Sequence, residues 1–346
     1  MDRSGRGLRV AGGSSLSGDL VVLATPILGA HLSREQVARV EAVEGVRVAR
    51  IAADGTLHGE SDGSALDHAE VLLLGAVPAS VLDHLVGRAP RLRWIHSASA
   101  GVDRIATPLV RERGVTVTNA RGVFSRPIAE YVVMMSLAVS RRLPQLLELQ
   151  RERTWQPLRG RELSELTVGI VGYGSIGREV ARLLEPFACR VLATRRRPDL
   201  GADGAENVEL FGLEDLGEVL RTSDIVVVAA PLTEETAGLI GAEQLGEMRE
   251  TAWLINIARG RLVDEAALRR ALESGWIGGA VLDVFGEEPL GPDSPLYDTP
   301  NLVITPHTSW ASDQVVERSV DLFVENLRRD RAGEPLRNLV DLEAGY

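Results

Sequence analysis

Residues 167–184, TVGIVGYGSIGREVARLL, set a run of strand-forming residues directly before Gly172-Tyr173-Gly174-Ser175-Ile176-Gly177 and a helical pattern directly after it. In a G-x-G-x-x-G at a strand-to-helix junction each glycine has its own task. Gly172 permits the tight turn, Gly174 lets a pyrophosphate approach the backbone, and Gly177 lets the helix pack closely on the strand. Ile176, Val180, Leu183 and Leu184 fall on one helical face, and the N–H groups of Ser175 and Ile176 would point at phosphates from the helix N-terminus. In a chain with 35 glycines the spacing alone is weak. The strand before it and the helix after it favour a cofactor loop over a purely structural turn.

Outward from this loop, strand-like stretches recur at RVLAT (190–194), DIVVVAAP (224–231), WLINIA (253–258), GAVLDVF (279–285) and NLVITP (301–306). An earlier series comprises DLVVLAT (19–25), VRVARIA (46–52), EVLLLG (70–75) and LRWIH (92–96), with helix-like SREQVARVEAV (33–43) and PASVLDHLV (78–86) between them. Alternation at this spacing predicts an α/β protein of two domains, each a parallel sheet covered by helices. Ser125 is read as the cap of a helix running through PIAEYVVMMSLAVSRR, which Pro144 should end or kink. Within it, residues 128–138 carry one charge, Glu130, which predicts a buried domain or subunit contact. Residues 313–335 repeat apolar side chains at helical spacing with Gly333 as the stop, a helix expected to return to the first domain.

The formal net charge of −11, with no long basic stretch, argues against a nucleic-acid partner. Cys189 is the sole cysteine, so no intrachain disulfide and no zinc site built on two cysteines can form, and no metal is expected. These features predict a cytoplasmic protein without a membrane span, with Gly/Ser-rich residues 1–18 flexible. The chain has no lysine, so all 38 basic residues are arginine. That excludes Schiff-base and pyridoxal chemistry and the Walker A loop.

An NAD site usually places an acid about 20 residues beyond the glycine loop, where it accepts the ribose 2′-OH. Here Thr194 and Arg195 end the next strand, and no acid follows until Asp199. A guanidinium there would grip a 2′-phosphate. Thr194, Arg195 and Arg196 are therefore assigned to the cofactor, with NADP(H) preferred and NAD(H) left open; Arg197 could equally face water. The alternative is a solvated arginine run.

Ligands of open parallel sheets bind beyond the carboxyl ends of the strands. Three late strands lead there to Arg259, Glu288 and His307. A histidine can exchange a proton with a carbonyl oxygen, a nearby carboxylate would hold its ring in the productive tautomer, and an arginine can bind a substrate carboxylate. Beside a nicotinamide the set describes hydride transfer between NAD(P)H and a 2-oxo acid. Singly, each residue also has an ordinary structural explanation. The other histidines (His31, His58, His68, His84 and His96) are read as structural.

The combination resembles the D-isomer-specific 2-hydroxyacid dehydrogenase family, from about SASAGVDRI (97–105) to TPHTSW (305–310). The motifs that carry it are GIVGYGSIG, VVAAPLTEETAGLI, LINIARGRLVDEAAL, VLDVFGEEPL and ITPHTSW. The resemblance implies His307 as general acid/base, Glu288 as its partner and Arg259 as the substrate arginine. It also implies Asp283 near the nicotinamide, with Ala230, Pro231, Thr236 and Ile257 lining the cofactor site. Backbone amides near Ala100 and Gly101 would bind the substrate carboxylate. A Rossmann-type cofactor domain, 106–306, would be inserted into a flavodoxin-like substrate domain, 1–105 plus 307–346, and two copies would form a homodimer. Ala229 stands where many members have a histidine. The missing acid resembles the NADPH-preferring glyoxylate/hydroxypyruvate reductases, so a D-specific 2-oxoacid reductase is expected. Trp310 either faces the substrate pocket or packs in the core. Alternatives are an NAD-linked oxidative member, such as a 3-phosphoglycerate dehydrogenase, and a dinucleotide-sensing corepressor.

Overall fold

The computed structural model describes residues 20–57, 64–102, 104–201 and 208–342. The stretch 1–18, expected to be flexible, lies outside the described residues. The chain divides after Val123 and again after Ser312, so that Met1–Val123 with Asp313–Tyr346 form one unit and Phe124–Ser312 the other.

In the first unit, strands β1 (Leu20–Ala24), β2 (Val46–Arg50), β3 (Ala69–Leu74), β4 (Trp94–Ser97) and β5 (Thr116–Thr118) make a parallel sheet in the order β2-β1-β3-β4-β5. This is the flavodoxin-like order. Every residue of β1 is buried, as expected of a strand covered on both faces. Helices α1 (Arg34–Glu41), α2 (Ala65–His68), α3 (Ala79–Arg88) and α4 (Pro108–Glu112) lie between the strands in the chain. Ser33 starts α1 through a capping box with Gln36, and Thr107 caps α4.

Residues Gln314–Arg331 form a helix, as their periodicity predicts, and it belongs to this unit. Phe323 lies 5.6 Å from the Trp94 ring and 5.3 Å from that of His96. Arg93 grips Asp330 with both Nη atoms, at 2.8 and 2.7 Å. Gln36 and Arg39 both donate to Glu317. Gly333 stops the helix at φ +67°, with Glu334 N–H bonded to Arg329 O and Gly333 N–H to Asp330 O. That pair of bonds is a Schellman motif.

The second unit begins with α5 (Ser125–Ser140) and α6 (Leu143–Arg151). Ser125 is the first helical residue and not the cap, and its buried hydroxyl finds no partner among the described residues. Arg142 adopts φ +59° and Pro144 then sits in the first turn of α6, so the proline opens a new helix. Helix α5 packs against α7 (Ser175–Leu184), while Met134 and Leu137 stay exposed. The sheet contains β6 (Thr167–Val171), β7 (Arg190–Thr194), β8 (Val208–Phe211), β9 (Ile225–Val228), β10 (Trp253–Asn256), β11 (Gly279–Leu282) and β12 (Leu302–Ile304). Its order is β8-β7-β6-β9-β10-β11-β12, all parallel. This is the doubly wound dinucleotide-binding order with one further strand, and its direction of growth reverses between β6 and β9. Helices α8 (Leu216–Thr222), α9 (Ala242–Glu247) and α10 (Glu265–Glu273) complete the unit.

These divisions differ from the expected boundaries at 105/106 and 306/307. Strand β5 pairs with β4, which keeps the chain in the first unit to Val123. Thr308 and Ser309 bond Asp283, which keeps residues through Ser312 in the second. Among the described residues no helix is long and apolar enough to cross a membrane.

Candidate active site

The glycine turn occupies the reversal point of the second sheet. Gly172 has φ +107°, and a Cβ there would fall 2.5 Å from the backbone nitrogen of Ala230, at the end of the neighbouring strand. A Cβ on Gly177 would meet Gly172 O at 2.5 Å, so only glycine lets α7 sit this close. Gly174, the cap of α7, has no atom within 4 Å of its would-be Cβ. The turn is thus crowded on the protein side at Gly172 and Gly177 and open at Gly174. The first-turn amides, including Ser175 and Ile176, have no intrahelical acceptor. A cradle of this kind fits a dinucleotide pyrophosphate.

Thr194 ends β7 fully buried. Its Oγ1 accepts the Gly172 N–H at 3.2 Å and its carbonyl accepts the Tyr173 N–H at 2.8 Å. Its hydroxyl therefore fixes the turn. Arg195 and Arg196 follow at the carboxyl end of β7. Arg195 donates from Nη1 to Gly201 O at 2.7 Å, and Arg196 Nη2 pairs with Glu235 Oε2 at 2.9 Å, both groups well exposed. Glu235 comes from the loop after β9 and was not singled out in the sequence, because its nearness to Arg196 depends on strand order. Exposed pairs of this kind are worth about 0–1 kcal/mol and exchange readily for a better anion.

Beyond β9, Ala230 is buried, and the Thr236 hydroxyl donates to Pro231 O at 2.6 Å while accepting the Thr233 N–H at 2.8 Å. Thr236 thereby closes the loop after β9 on itself. Beyond β10, Ile257 is buried and its N–H reaches Val228 O. Asn256, also missed in the sequence, shapes the next turn: its Nδ2 donates to Arg259 O at 3.0 Å and its Oδ1 accepts the Ala258 N–H at 3.2 Å.

The backbone of the Arg259 turn is linked to the Glu288–His307 pair, while the Arg259 guanidinium donates from Nη1 to Ala258 O at 2.8 Å. A Cβ on Gly260 would lie 1.9 Å from the carbonyl carbon of Phe285, so the Arg259 turn rests directly on the Phe285–Gly286 backbone. The Phe285 N–H in turn donates to Glu288 Oε1 at 3.0 Å. Glu288 Oε2 stands 2.7 Å from His307 Nδ1, with side-chain exposures of 27% and 38%. A carboxylate only accepts, so Nδ1–H donates and Nε2 is the nitrogen left for proton exchange. His307 holds φ +49°, a conformation uncommon outside glycine that recurs at functional sites.

Asp283 fixes this turn from below. Fully buried, it accepts Thr305 Oγ1 at 2.6 Å, Thr308 N–H at 2.8 Å and Ser309 N–H at 2.9 Å. Thr305 also meets the Tyr131 hydroxyl at 2.6 Å. Burial pushes the Tyr131 phenol up to about 12, with the Asp283 charge adding to the rise. The sequence marks neither Tyr131 nor Thr305 as a site residue. Trp310 is partly buried, edge-on to Phe124 at 6.4 Å, so it has a packing partner whatever else it faces. Ala100 and Gly101 belong to the first unit. There Asn119 Nδ2 holds Ala100 O at 2.8 Å and Ser99 Oγ holds Gly101 O at 3.1 Å.

A dinucleotide cradle and a paired His/Glu with an arginine turn, all on the carboxyl edge of one sheet, define a dinucleotide-dependent oxidoreductase. Comparison with known proteins agrees. Residues 133–309 match the NAD-binding domain of D-isomer-specific 2-hydroxyacid dehydrogenases. The chain is 40% identical over 280 residues to a glyoxylate reductase of Thermofilum pendens, covering 79% of this chain and 80% of that one. A D-isomer-specific 2-hydroxyacid dehydrogenase of Xanthobacter autotrophicus Py2, solved with NADPH and MES, superposes with a TM-score of 0.81 at 33% identity, covering 95% of this chain and 100% of that one. An NADPH-dependent glyoxylate/hydroxypyruvate reductase of Sinorhizobium meliloti gives a TM-score of 0.78 at 28% identity, covering 95% and 100%.

The chain belongs to the D-isomer-specific 2-hydroxyacid dehydrogenase family and is an NAD(P)-dependent oxidoreductase.

Proposed function

We propose that the protein reduces a small 2-oxo acid, such as glyoxylate or hydroxypyruvate, to the D-2-hydroxy acid, with NADPH preferred over NADH. The observation that carries this reading is the 2.7 Å Glu288–His307 pair beside the Arg259 turn, in the same unit as the glycine cradle. When bound, the dinucleotide supplies the hydride to the substrate's carbonyl carbon. His307 delivers the proton to the carbonyl oxygen from Nε2, while Glu288 holds the ring and stabilises its charged form. Arg259 binds the substrate carboxylate and polarises the adjacent carbonyl. Gly172, Gly174, Ser175, Ile176 and Gly177 cradle the phosphates, and Ala230, Pro231, Thr236 and Ile257 line the site. Arg195 and Arg196 take the 2′-phosphate, and Asp283 faces the nicotinamide. Ala100 and Gly101, in the first unit, are assigned to substrate binding. Trp310 is assigned to the substrate side with Phe124 as its backing.

We further propose that two copies associate and that the protein works in the cytoplasm. Met134, Leu137, Leu143, Leu146, Leu147 and Trp155, exposed within one stretch of the second unit, support association. The lone buried thiol of Cys189 supports a reducing compartment. The Glu235 carboxylate beside Arg196 keeps an NAD-linked member as the second reading. A panel of 2-oxo acids assayed with NADPH and NADH separates the two. Higher kcat/KM with NADPH on small 2-oxo acids supports the first; preference for NADH overturns it.

A further inference from the structure

We propose that Tyr131 is a positioning residue for the hydride-transfer end of the site, acting through Thr305 on the Asp283 carboxylate. The inference rests on the reading that Asp283 faces the nicotinamide. Its basis is a directed hydrogen-bond chain. Thr305 has one hydroxyl hydrogen, and it goes to Asp283 Oδ1 at 2.6 Å, because a carboxylate can only accept. The Tyr131 hydroxyl, 2.6 Å from the same Thr305 oxygen, must therefore be the donor. The sequence separation of 174 residues between Tyr131 and Thr305 makes the link a tertiary one.

Thr308 N–H donates to the same Asp283 Oδ1 and Ser309 N–H to Oδ2, and these two amides immediately follow His307. One carboxylate thus fixes both the nicotinamide side of the site and the turn that presents the imidazole. Tyr131 sets the direction of the Thr305 hydroxyl, and in a chain of this kind each bond strengthens the next. Tyr131 also lies on α5, which packs against α7, the helix that opens at the glycine cradle. Helix α5 therefore references the phosphate end and the proton-donating end of the site to one rigid element. With its phenol pushed up to about 12 by burial, Tyr131 stays protonated, and so a donor, across the working pH range.

The test compares Tyr131→Phe with wild type in calorimetric binding of NADPH and of 2′-phospho-ADP-ribose, which lacks the nicotinamide, alongside kcat and KM for a 2-oxo acid. The expected result is about fivefold weaker NADPH binding with unchanged 2′-phospho-ADP-ribose binding, and kcat falling about tenfold while KM moves little. Thr305→Val should reproduce these changes, Thr305→Ser should restore wild-type behaviour, and Tyr131→Phe should add nothing in the Thr305→Val background. Equal effects on both ligands, no effect on either, or additive effects in the double variant overturn the proposal. If Tyr131→Phe does not fold, the Thr305→Val and Thr305→Ser pair decides alone: wild-type binding ratios in Thr305→Val overturn it. Asp283→Asn separates the two levels. If it leaves the ligand ratio unchanged, the nicotinamide assignment itself fails; if it shifts the ratio and Tyr131→Phe does not, only the relay through Thr305 fails.

Discussion

Replacing His96 by leucine should remove an acid sensitivity built into the core of the first unit. His96 lies on β4, fully buried, with Nδ1 2.8 Å from Thr118 Oγ1 and the Trp94 indole N–H on the same oxygen at 2.8 Å. Its Nε2 finds no partner among the described residues. Burial pushes the imidazole from 6.5 down to about 3, so the folded chain keeps it neutral while the unfolded chain protonates it below 6.5. Between these values the unfolded state binds more protons, and stability falls as pH falls, by about 1.4 kcal/mol per unit of pH. From pH 7.5 to pH 5 the histidine accordingly costs the folded state about 2 kcal/mol, or about 4–8 °C in Tm for a domain of this size. His96→Leu loses the Thr118 bond at every pH but has no proton to gain. The assay is thermal unfolding of both proteins at pH 7.5 and pH 5, followed by tryptophan fluorescence, with Trp94 6.1 Å from the ring. Titration of the carboxylates cancels in the comparison, so the gap between wild type and variant should move by about 2 kcal/mol in favour of the variant at the lower pH. Parallel losses would refute the reasoning.

Other consequences bear on the active site. His307→Asn should lower kcat by about 10²–10⁴-fold while NADPH binding, read by calorimetry, holds within about twofold; weakened binding in step with kcat would assign the residue to the cofactor instead. Arg195→Gln combined with Arg196→Gln should lower kcat/KM for NADPH by about tenfold or more and leave NADH nearly unchanged, since only NADPH carries the 2′-phosphate. Glu235→Gln should act oppositely, improving NADPH by removing the carboxylate that competes for Arg196 and repels the 2′-phosphate, and a fall in NADPH kcat/KM would count against the exchange. Gly260→Ala should displace the Phe285–Gly286 backbone, costing about 1–3 kcal/mol of stability and raising KM for the 2-oxo acid through Arg259; an unaltered Tm and KM would contradict that close approach.

The sites legible in the sequence are those a parallel sheet brings together of its own accord. Every strand of the second sheet runs the same way, so whatever follows a strand lands on one edge, and Arg259, Glu288 and His307 could be gathered there from order alone. The three glycines were legible because each answers a different contact at a fixed offset. Short elements escape: β5 has three residues and α4 five, too few for a period to show, so the sequence marks a first boundary at 105 while the chain divides after Val123. Strand β8, the edge strand with Glu209 exposed, carries an alternation too brief to register. Ser125 looked like a cap because serine commonly is one, yet the helix enters through Phe124 and leaves that hydroxyl buried.

What order could not supply is the set of residues that hold the reacting ones still. Asn256 fixes the Arg259 turn through two local bonds from inside a motif that does not mark it, and Thr194, assigned from the sequence to the cofactor, uses its hydroxyl to accept the Gly172 N–H. Tyr131 is harder still, since its role depends on one tertiary hydrogen bond from a helix that the sequence marks only as apolar. The Arg196–Glu235 pair shows how this bears on function. Read linearly, three arginines without an acid argue for a 2′-phosphate; in the fold, the loop after β9 returns a carboxylate to the second of them. An exposed pair worth about 0–1 kcal/mol is readily displaced by a dianion with charge-assisted, bidentate bonds, so on the proposed reading the arginines remain the stronger determinant. The size of the preference then depends on Glu235 as much as on the arginines, because a carboxylate left behind repels the phosphate that replaced it.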